Sequence, residues 1–108
     1  MRNEEFGKEN IVAWGSMYSP LEWKLSEHRG DDCYAKLVVN KADNNRVLGL
    51  HILGPNAGEI TQGFGVAILK GVTKEDFDYT VGIHPTMAEE FTLLKAIAGS
   101  DAEKKTSC

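Results

Sequence analysis

His84 and Glu89 stand five positions apart in the run His84-Pro85-Thr86-Met87-Ala88-Glu89. An imidazole held by a carboxylate is the arrangement that general acid/base chemistry needs. The carboxylate orients the ring, and the ring can then take and return a proton near neutral pH. Pro85 fixes the turn between a strand end that carries His84 and a helix start that carries Glu89. The pair stands almost alone, because the sequence offers no nucleotide-binding glycine loop, no Cys-x-x-Cys and no cluster with metal-ligand spacing. It reads as a catalytic part without the rest of its machine.

Each of these residues also has a plain structural reading. Glu89 lies three positions after Thr86, so it fits a capping box in which Thr86 begins a helix. One carboxylate oxygen can serve the cap while the other holds the ring. His84 before a proline also fits a loop histidine bonded to a backbone carbonyl.

The elements that must position the pair follow from the residue pattern. Residues 1–10 are polar and read as the close of a short helix, and Ile11 to Tyr18 reads as a strand broken by Ser19-Pro20. Leu21 to Leu25 continues as an extended piece, and Ser26 to Asp32, with His28 and Gly30, is a solvated loop. Cys33 to Asn40 and Arg46 to Leu53 form a β-hairpin around Asp43-Asn44-Asn45, residues that tolerate left-handed turn conformations.

Gly54-Pro55 ends the hairpin. Asn56 caps a helix running to Lys70, with Glu59 three residues on, and Ile60, Phe64, Ala67 and Ile68 on one face. Gly63 and Gly65 cost that helix about 1 kcal/mol each relative to alanine, which points to close approach of another backbone. Gly71 ends it. Thr73, with Asp76, caps a short helix to Asp78, and Tyr79 to Ile83 delivers the chain to His84. A final helix from Thr86 buries Phe91, Leu94 and Ile97 or Ala98 and ends at Gly99; residues 100–108 form a mobile tail. The expected class is α+β, an antiparallel β-sheet with helices packed on one side.

At 108 residues with 42% hydrophobic content the chain makes about one domain with a modest core, which gains from packing on a partner. A net charge of −4, a pI near 5.3 and scattered basic residues argue against the basic face that nucleic acid or a membrane surface requires. No apolar run reaches the roughly 20 residues of a membrane span, and the charged start of the chain has no secretory h-region. Two cysteines, Cys33 and Cys108, make no disulfide framework, so a reducing compartment is expected: cytoplasmic, with a mitochondrial form left open. His51, Trp14, Trp23 and Cys33 read as structural, and His28 as solvated.

Several ordered motifs then match a known family. Pro20-Leu21-Glu22-Trp23, Cys33-Tyr34-Ala35-Lys36, the run Gly49 to Glu59 (Gly-Leu-His-Ile-Leu-Gly-Pro-Asn-Ala-Gly-Glu), Thr61-Gln62-Gly63-Phe64 and Gly82-Ile83-His84-Pro85-Thr86 resemble the C-terminal interface (dimerisation) domain of the glutathione-reductase-like pyridine nucleotide-disulfide oxidoreductases. Within these, the chain looks most like the large animal-type thioredoxin reductases and thioredoxin-glutathione reductases. The resemblance covers roughly residues 4–98.

It implies an FAD- and NADPH-dependent enzyme in which hydride passes from NADPH to FAD and electrons then reduce a disulfide beside the flavin. The interface domain lends a histidine to the partner subunit's site. By resemblance that histidine is His84, with Glu89 as its carboxylate and Pro85 beside it near the flavin. His84 would protonate the leaving thiolate and stabilise the thiolate near the flavin. Glu90 matches a second acidic position, and the helix from Asn56 to Lys70 matches the dimer-interface helix. The implied partners are a second copy or the remaining domains of the same reductase, and a thioredoxin- or glutathione-like disulfide substrate.

The chain departs from the family pattern in three places. The FAD and NADPH domains and the active-site disulfide are absent, so no cofactor is expected on this chain alone. The usual first strand is missing or cut short before Asn3. The tail ends in Ser107-Cys108 with one thiol where the family carries a redox pair, and a selenocysteine codon read as stop just after Cys108 is one expectation. A codon other than UGA at that point in the transcript would remove it. The alternative reading is a standalone, non-catalytic interaction module that self-associates or pairs with a full-length reductase. A hydrolase using His84 and Glu89 lacks a serine or cysteine nucleophile placed by motif.

Overall fold

The computed structural model describes residues 8–19, 33–100 and 106–107. Lys8–Asn10 form a 3-10 turn at the end of the expected N-terminal helix; the rest of that helix, and the expectations for Leu21 to Leu25, for the loop with His28, and for Trp23 and Cys108, lie outside the described residues. So does most of the 100–108 tail.

The antiparallel sheet is built on three long strands, β1 (Ile11–Ser19), β2 (Cys33–Asn40) and β3 (Arg46–Leu53). β2 pairs with β1 along eight registered positions and with β3 through a bulge between Val38 and Val39. Alternation is clean in β2: Cys33, Ala35, Leu37 and Val39 are buried, while Tyr34, Lys36 and Val38 between them are half-buried. The predicted hairpin is present. Asn40 Oδ1 accepts from the Ala42 amide at 3.0 Å, and Asn44 and Asn45 turn the chain at φ 54° and 59°. Those are left-handed conformations that asparagine adopts more readily than most residues.

Two helices follow, α1 (Ala57–Leu69) and α2 (Lys74–Tyr79). α1 lays the predicted face, Ile60, Phe64 and Ile68, against the core. Its start differs from the expected cap. Asn56 is itself left-handed (φ 62°) and its side chain caps nothing, so asparagine serves the turn rather than the helix end. α2 has the expected capping box: the Asp76 amide donates to Thr73 Oγ1 at 3.2 Å, and the Thr73 amide donates to Asp76 Oδ2 at 3.0 Å. The core closes around three rings, with Phe64 centred 5.3 Å from Phe77 and 5.5 Å from Phe91. The sheet and these helices make the expected α+β fold.

The final helix is the main correction. Ala88–Thr92 forms only a 3-10 turn, and Ala96–Ile97 becomes a short strand, β4, paired antiparallel with Trp14 and Gly15 of β1. Phe91 and Leu94 are buried as expected, but Ile97 is exposed. The cause is the open edge of β1. The Ala98 amide reaches the Ala13 carbonyl at 2.8 Å, and the Leu94 carbonyl is taken by Lys74 Nζ at 2.9 Å rather than by a helical amide. Sheet pairing satisfies backbone groups that a longer helix would have had to satisfy along its own axis. Further on, Thr106–Ser107 (β5) lies parallel to Tyr18 and Ser19 on β1, so the tail expected to be mobile contributes a strand pair to the sheet.

Candidate acid/base site

The strand end expected before His84 is an extended link. α2 ends at Tyr79, Thr80 is extended (φ −70°, ψ 131°), and the chain runs through Val81, Gly82 and Ile83 to a bend at His84-Pro85, whose peptide bond is cis. Met87, buried, anchors the far side of this bend beneath Gly54 at the base of the hairpin: a Cβ placed on Gly54 would stand 2.8 Å from Met87 Cε and 3.1 Å from Cys33 Sγ. The 3-10 turn then begins and presents Glu89.

The bend brings the two predicted residues together. His84 Nδ1 and Glu89 Oε1 are 2.7 Å apart, with the histidine side chain 65% exposed and the carboxylate 5% exposed. A carboxylate is an acceptor only, so Nδ1 carries the proton and donates it to Glu89. Nε2 is left as the ring nitrogen able to exchange a proton with a reactant. The two structural alternatives resolve here. Thr86 Oγ1 does accept from the Glu89 amide at 3.3 Å, which is half of the expected box, while the Glu89 side chain holds the ring. His84 is bound by a carboxylate rather than by a carbonyl.

Glu89 is fixed from several sides. Thr92 Oγ1 donates to the Glu89 carbonyl at 2.7 Å, and Gly82 lies so close that a Cβ on it would stand 2.9 Å from Glu89 Cβ. A shallow, apolar cleft of about 220 Å³ opens beside the pair between Phe64, the Val81–Ile83 link and Thr92. Glu90, also buried, lies on a different side, within electrostatic reach of Tyr18. Cys33 is buried and packed in the core, as expected of a structural cysteine, and His51 is exposed on β3. Trp14 lies half-buried against the core with the Lys74 ammonium 4.8 Å from its ring centroid.

Sequence reasoning passed over Gly82, Thr92 and Lys74 as residues with a position to defend. The signal for Gly82 was present, because a glycine inside an extended stretch marks close approach of another group. Gly63 and Gly65 carry the reverse lesson. A Cβ on either would meet nothing within 4 Å among the described residues, so the close approach inferred from them is not made inside this chain.

The cleft is too small for a dinucleotide, whose sites run to several hundred Å³ and need polar groups around the phosphates. That cleft by itself does not hold FAD or NADPH. Nor, among the described residues, do three or more His, Cys, Asp or Glu side chains converge as a metal site would require. No helix among the described residues is long and apolar enough to cross a membrane.

The domain is α+β and carries a carboxylate-held histidine at a proline bend, with an apolar surface around it. Comparison with known proteins gives its family: residues 3–95 match the family described as "Pyridine nucleotide-disulphide oxidoreductase, dimerisation domain", and the chain belongs to that family. It is 59% identical over 104 residues to "Thioredoxin reductase SEP1" from Emiliania huxleyi, which covers 94% of this chain and 21% of that protein. It is 39% identical over 104 residues to "Thioredoxin reductase 2, mitochondrial" from Drosophila melanogaster, covering 94% of this chain and 20% of that protein. The chain thus spans about one fifth of the length of these relatives.

Proposed function

We propose that this domain joins two subunits of an FAD- and NADPH-dependent thioredoxin reductase and supplies His84 and Glu89, in trans, to the disulfide-reducing site of the partner subunit. The flavin of the remaining domains supplies the hydride chemistry; the residues here hold and move a proton. One observation carries the assignment: the 2.7 Å bond between an exposed ring and a buried carboxylate, which leaves Nε2 presented outward. When a mixed or substrate disulfide is cleaved, the departing sulfur leaves as a thiolate. Nε2–H protonates it, and Glu89 steadies the imidazolium before transfer.

The outer side of α1 supports pairing with a second copy. Gly58, Gln62, Gly65 and Leu69 recur at i, i+4, i+7 and i+11 and so share one stripe, with Leu69 84% exposed and Val66 beside it 65% exposed. Nothing lies within 4 Å of a Cβ placed on Gly58 or Gly65. Small residues on an open stripe let a second helix approach closely. Cys108, outside the described residues, is proposed as a redox residue of the tail from its place near the chain end, although the family's redox pair is not matched there, and the cytoplasm is the proposed location.

The test uses the full-length reductase. His84→Ala should lower disulfide turnover about 10²-fold or more, the range of a lost general acid. Heterodimers decide the geometry. One subunit carries His84→Ala and the other lacks the active-site dithiol, so only a histidine acting across the interface restores turnover. A His84→Ala enzyme with near-parental turnover, or a heterodimer as inactive as its parents, would refute the assignment.

A further inference from the structure

We infer that Gly82 is a positioning residue for the His84–Glu89 pair, selected by the absence of a side chain; this rests on the acid/base role proposed above. A Cβ on Gly82 would stand 2.9 Å from Glu89 Cβ, 3.2 Å from Thr92 Oγ1 and 3.6 Å from Glu89 Oε2. The first distance is closer than carbon atoms tolerate, and its partner cannot swing away. Glu89 is 6% exposed and its backbone is held by two bonds, from its amide to Thr86 and from Thr92 to its carbonyl. Any side chain at 82 must therefore move the Val81–Ile83 link off the 3-10 turn.

That displacement bears directly on the pair. His84 is two residues beyond Gly82, its side chain is largely exposed, and Glu89 Oε1 holds its ring at 2.7 Å. Moving the link outward stretches that bond while leaving the core rings of Phe64, Phe77 and Phe91 in place. A notch at residue 82 sets the reach of the histidine, so the pair consists of two side chains and one missing one. Thr92 forms the floor of the same notch.

The test compares pH profiles of turnover in the full-length enzyme for the parent, Glu89→Gln, Gly82→Ala and Gly82→Val, with flavin content and dimer mass measured for each. Glu89→Gln supplies the reference profile of a ring without its carboxylate. Gly82→Val is expected to lose about tenfold or more in kcat and to take on the Glu89→Gln profile, with Gly82→Ala between it and the parent. A purely structural defect would lower the yield of intact dimer and leave the profile of the remainder unchanged. Should Gly82→Val fail to assemble, Gly82→Ala is read alone against the same two profiles.

A Gly82 variant that keeps the parental profile, while Glu89→Gln changes it, overturns the inference and leaves the acid/base role standing. If Glu89→Gln and His84→Ala themselves keep the parental profile and rate, the acid/base role falls, and the inference falls with it.

Discussion

Lys74 gives the most demanding test of how this fold holds together. It is 4% exposed, unusual for a lysine, and its ammonium meets three groups. It donates to the Leu94 carbonyl at 2.9 Å, pairs with Asp78 one turn on, and lies 4.8 Å from the centroid of Trp14. It thereby ties α2 to β1 and to the segment that leads into β4. The contact with Leu94 is a bond from a charged donor to a buried acceptor, about 1.5–3 kcal/mol. The contact with Trp14 adds about 1 kcal/mol. Asp78 is 37% exposed, so that pair is screened and counts for less than about 1 kcal/mol. Against these stands the cost of burying the ammonium, several kcal/mol, which every substitution recovers.

The balance differs between two variants. Lys74→Met keeps the volume of the stem, recovers the burial cost and leaves the Leu94 carbonyl without its donor, a net loss of about 1–2 kcal/mol. Lys74→Ala removes the packing as well and should lose about 3 kcal/mol. Urea unfolding of the chain followed by tryptophan fluorescence measures both. With a slope of roughly 1–3 kcal/mol/M for a small domain, the alanine midpoint should fall by roughly 1–3 M and the methionine midpoint by about half as much. Equal midpoints for the two variants would show that packing of the stem adds nothing. A methionine variant more stable than the parent would show that burial of the ammonium outweighs its three contacts. The second result would refute the clamp; the first would assign its whole effect to the ammonium's contacts.

Three further outcomes are expected. Burial first, and then the charges of Cys33 and Glu90, push the Tyr18 phenol well above its ordinary range. The unfolded phenol ionises near about pH 10 while the folded one keeps its proton, so stability present below about pH 10 is lost as pH rises above it. Tyr18→Phe should flatten that alkaline loss and, because the hydroxyl finds no hydrogen-bond partner among the described residues, gain up to about 1 kcal/mol at pH 7; a clear destabilisation at pH 7 in thermal melts would count against it. Gly54→Val should cost about 2–3 kcal/mol in the same melts by forcing Met87 and Cys33 aside, and a variant within 0.5 kcal/mol of the parent, on the order of experimental error, would mean the packing yields freely. Leu69→Asp should leave the fold intact, since the side chain is exposed, and weaken self-association by at least about 2 kcal/mol, roughly 30-fold in the dimer constant by sedimentation; an unchanged constant would move the interface off α1.

Local chemistry made much of this fold legible. Asn44 and Asn45 marked the hairpin because asparagine accepts the left-handed backbone they adopt, and Thr73 with Asp76 marked α2 because both halves of that box lie within four residues. The pairing of His84 with Glu89 was legible for the same reason, since a proline bend leaves five residues little room to separate. Tertiary competition accounts for what was missed. Residues after Thr92 carry a helical pattern, but the free edge of β1 and the Lys74 ammonium take their backbone groups instead. Asn56 was named as a helix cap and does a turn's work, because its backbone and not its side chain answers the local need. The Gly82 notch depends on a residue seven positions away across a bend, and nothing in the identity of a glycine says which neighbour it admits.

On the proposed role, the surface around His84 bears on why a proton-transfer group would sit on a pairing domain at all. Tyr79, Val81 and Ile83, on the link that delivers the histidine, are 87%, 89% and 75% exposed. An exposed imidazole among them trades protons with water as readily as with any reactant. Covering the link with a second protein surface removes that competitor and lowers the local dielectric, so the charge that Glu89 steadies on the ring counts for more. Burying three large apolar side chains also favours the covered state. On the proposed role, association and proton transfer are then one event: the residues that make the isolated surface unfavourable in water are those whose burial makes His84 selective for the departing sulfur. Glu89 needs no such cover, since the fold of the single chain already buries it. On that role the pair is divided accordingly, with the carboxylate set by the domain itself and the ring completed by a partner.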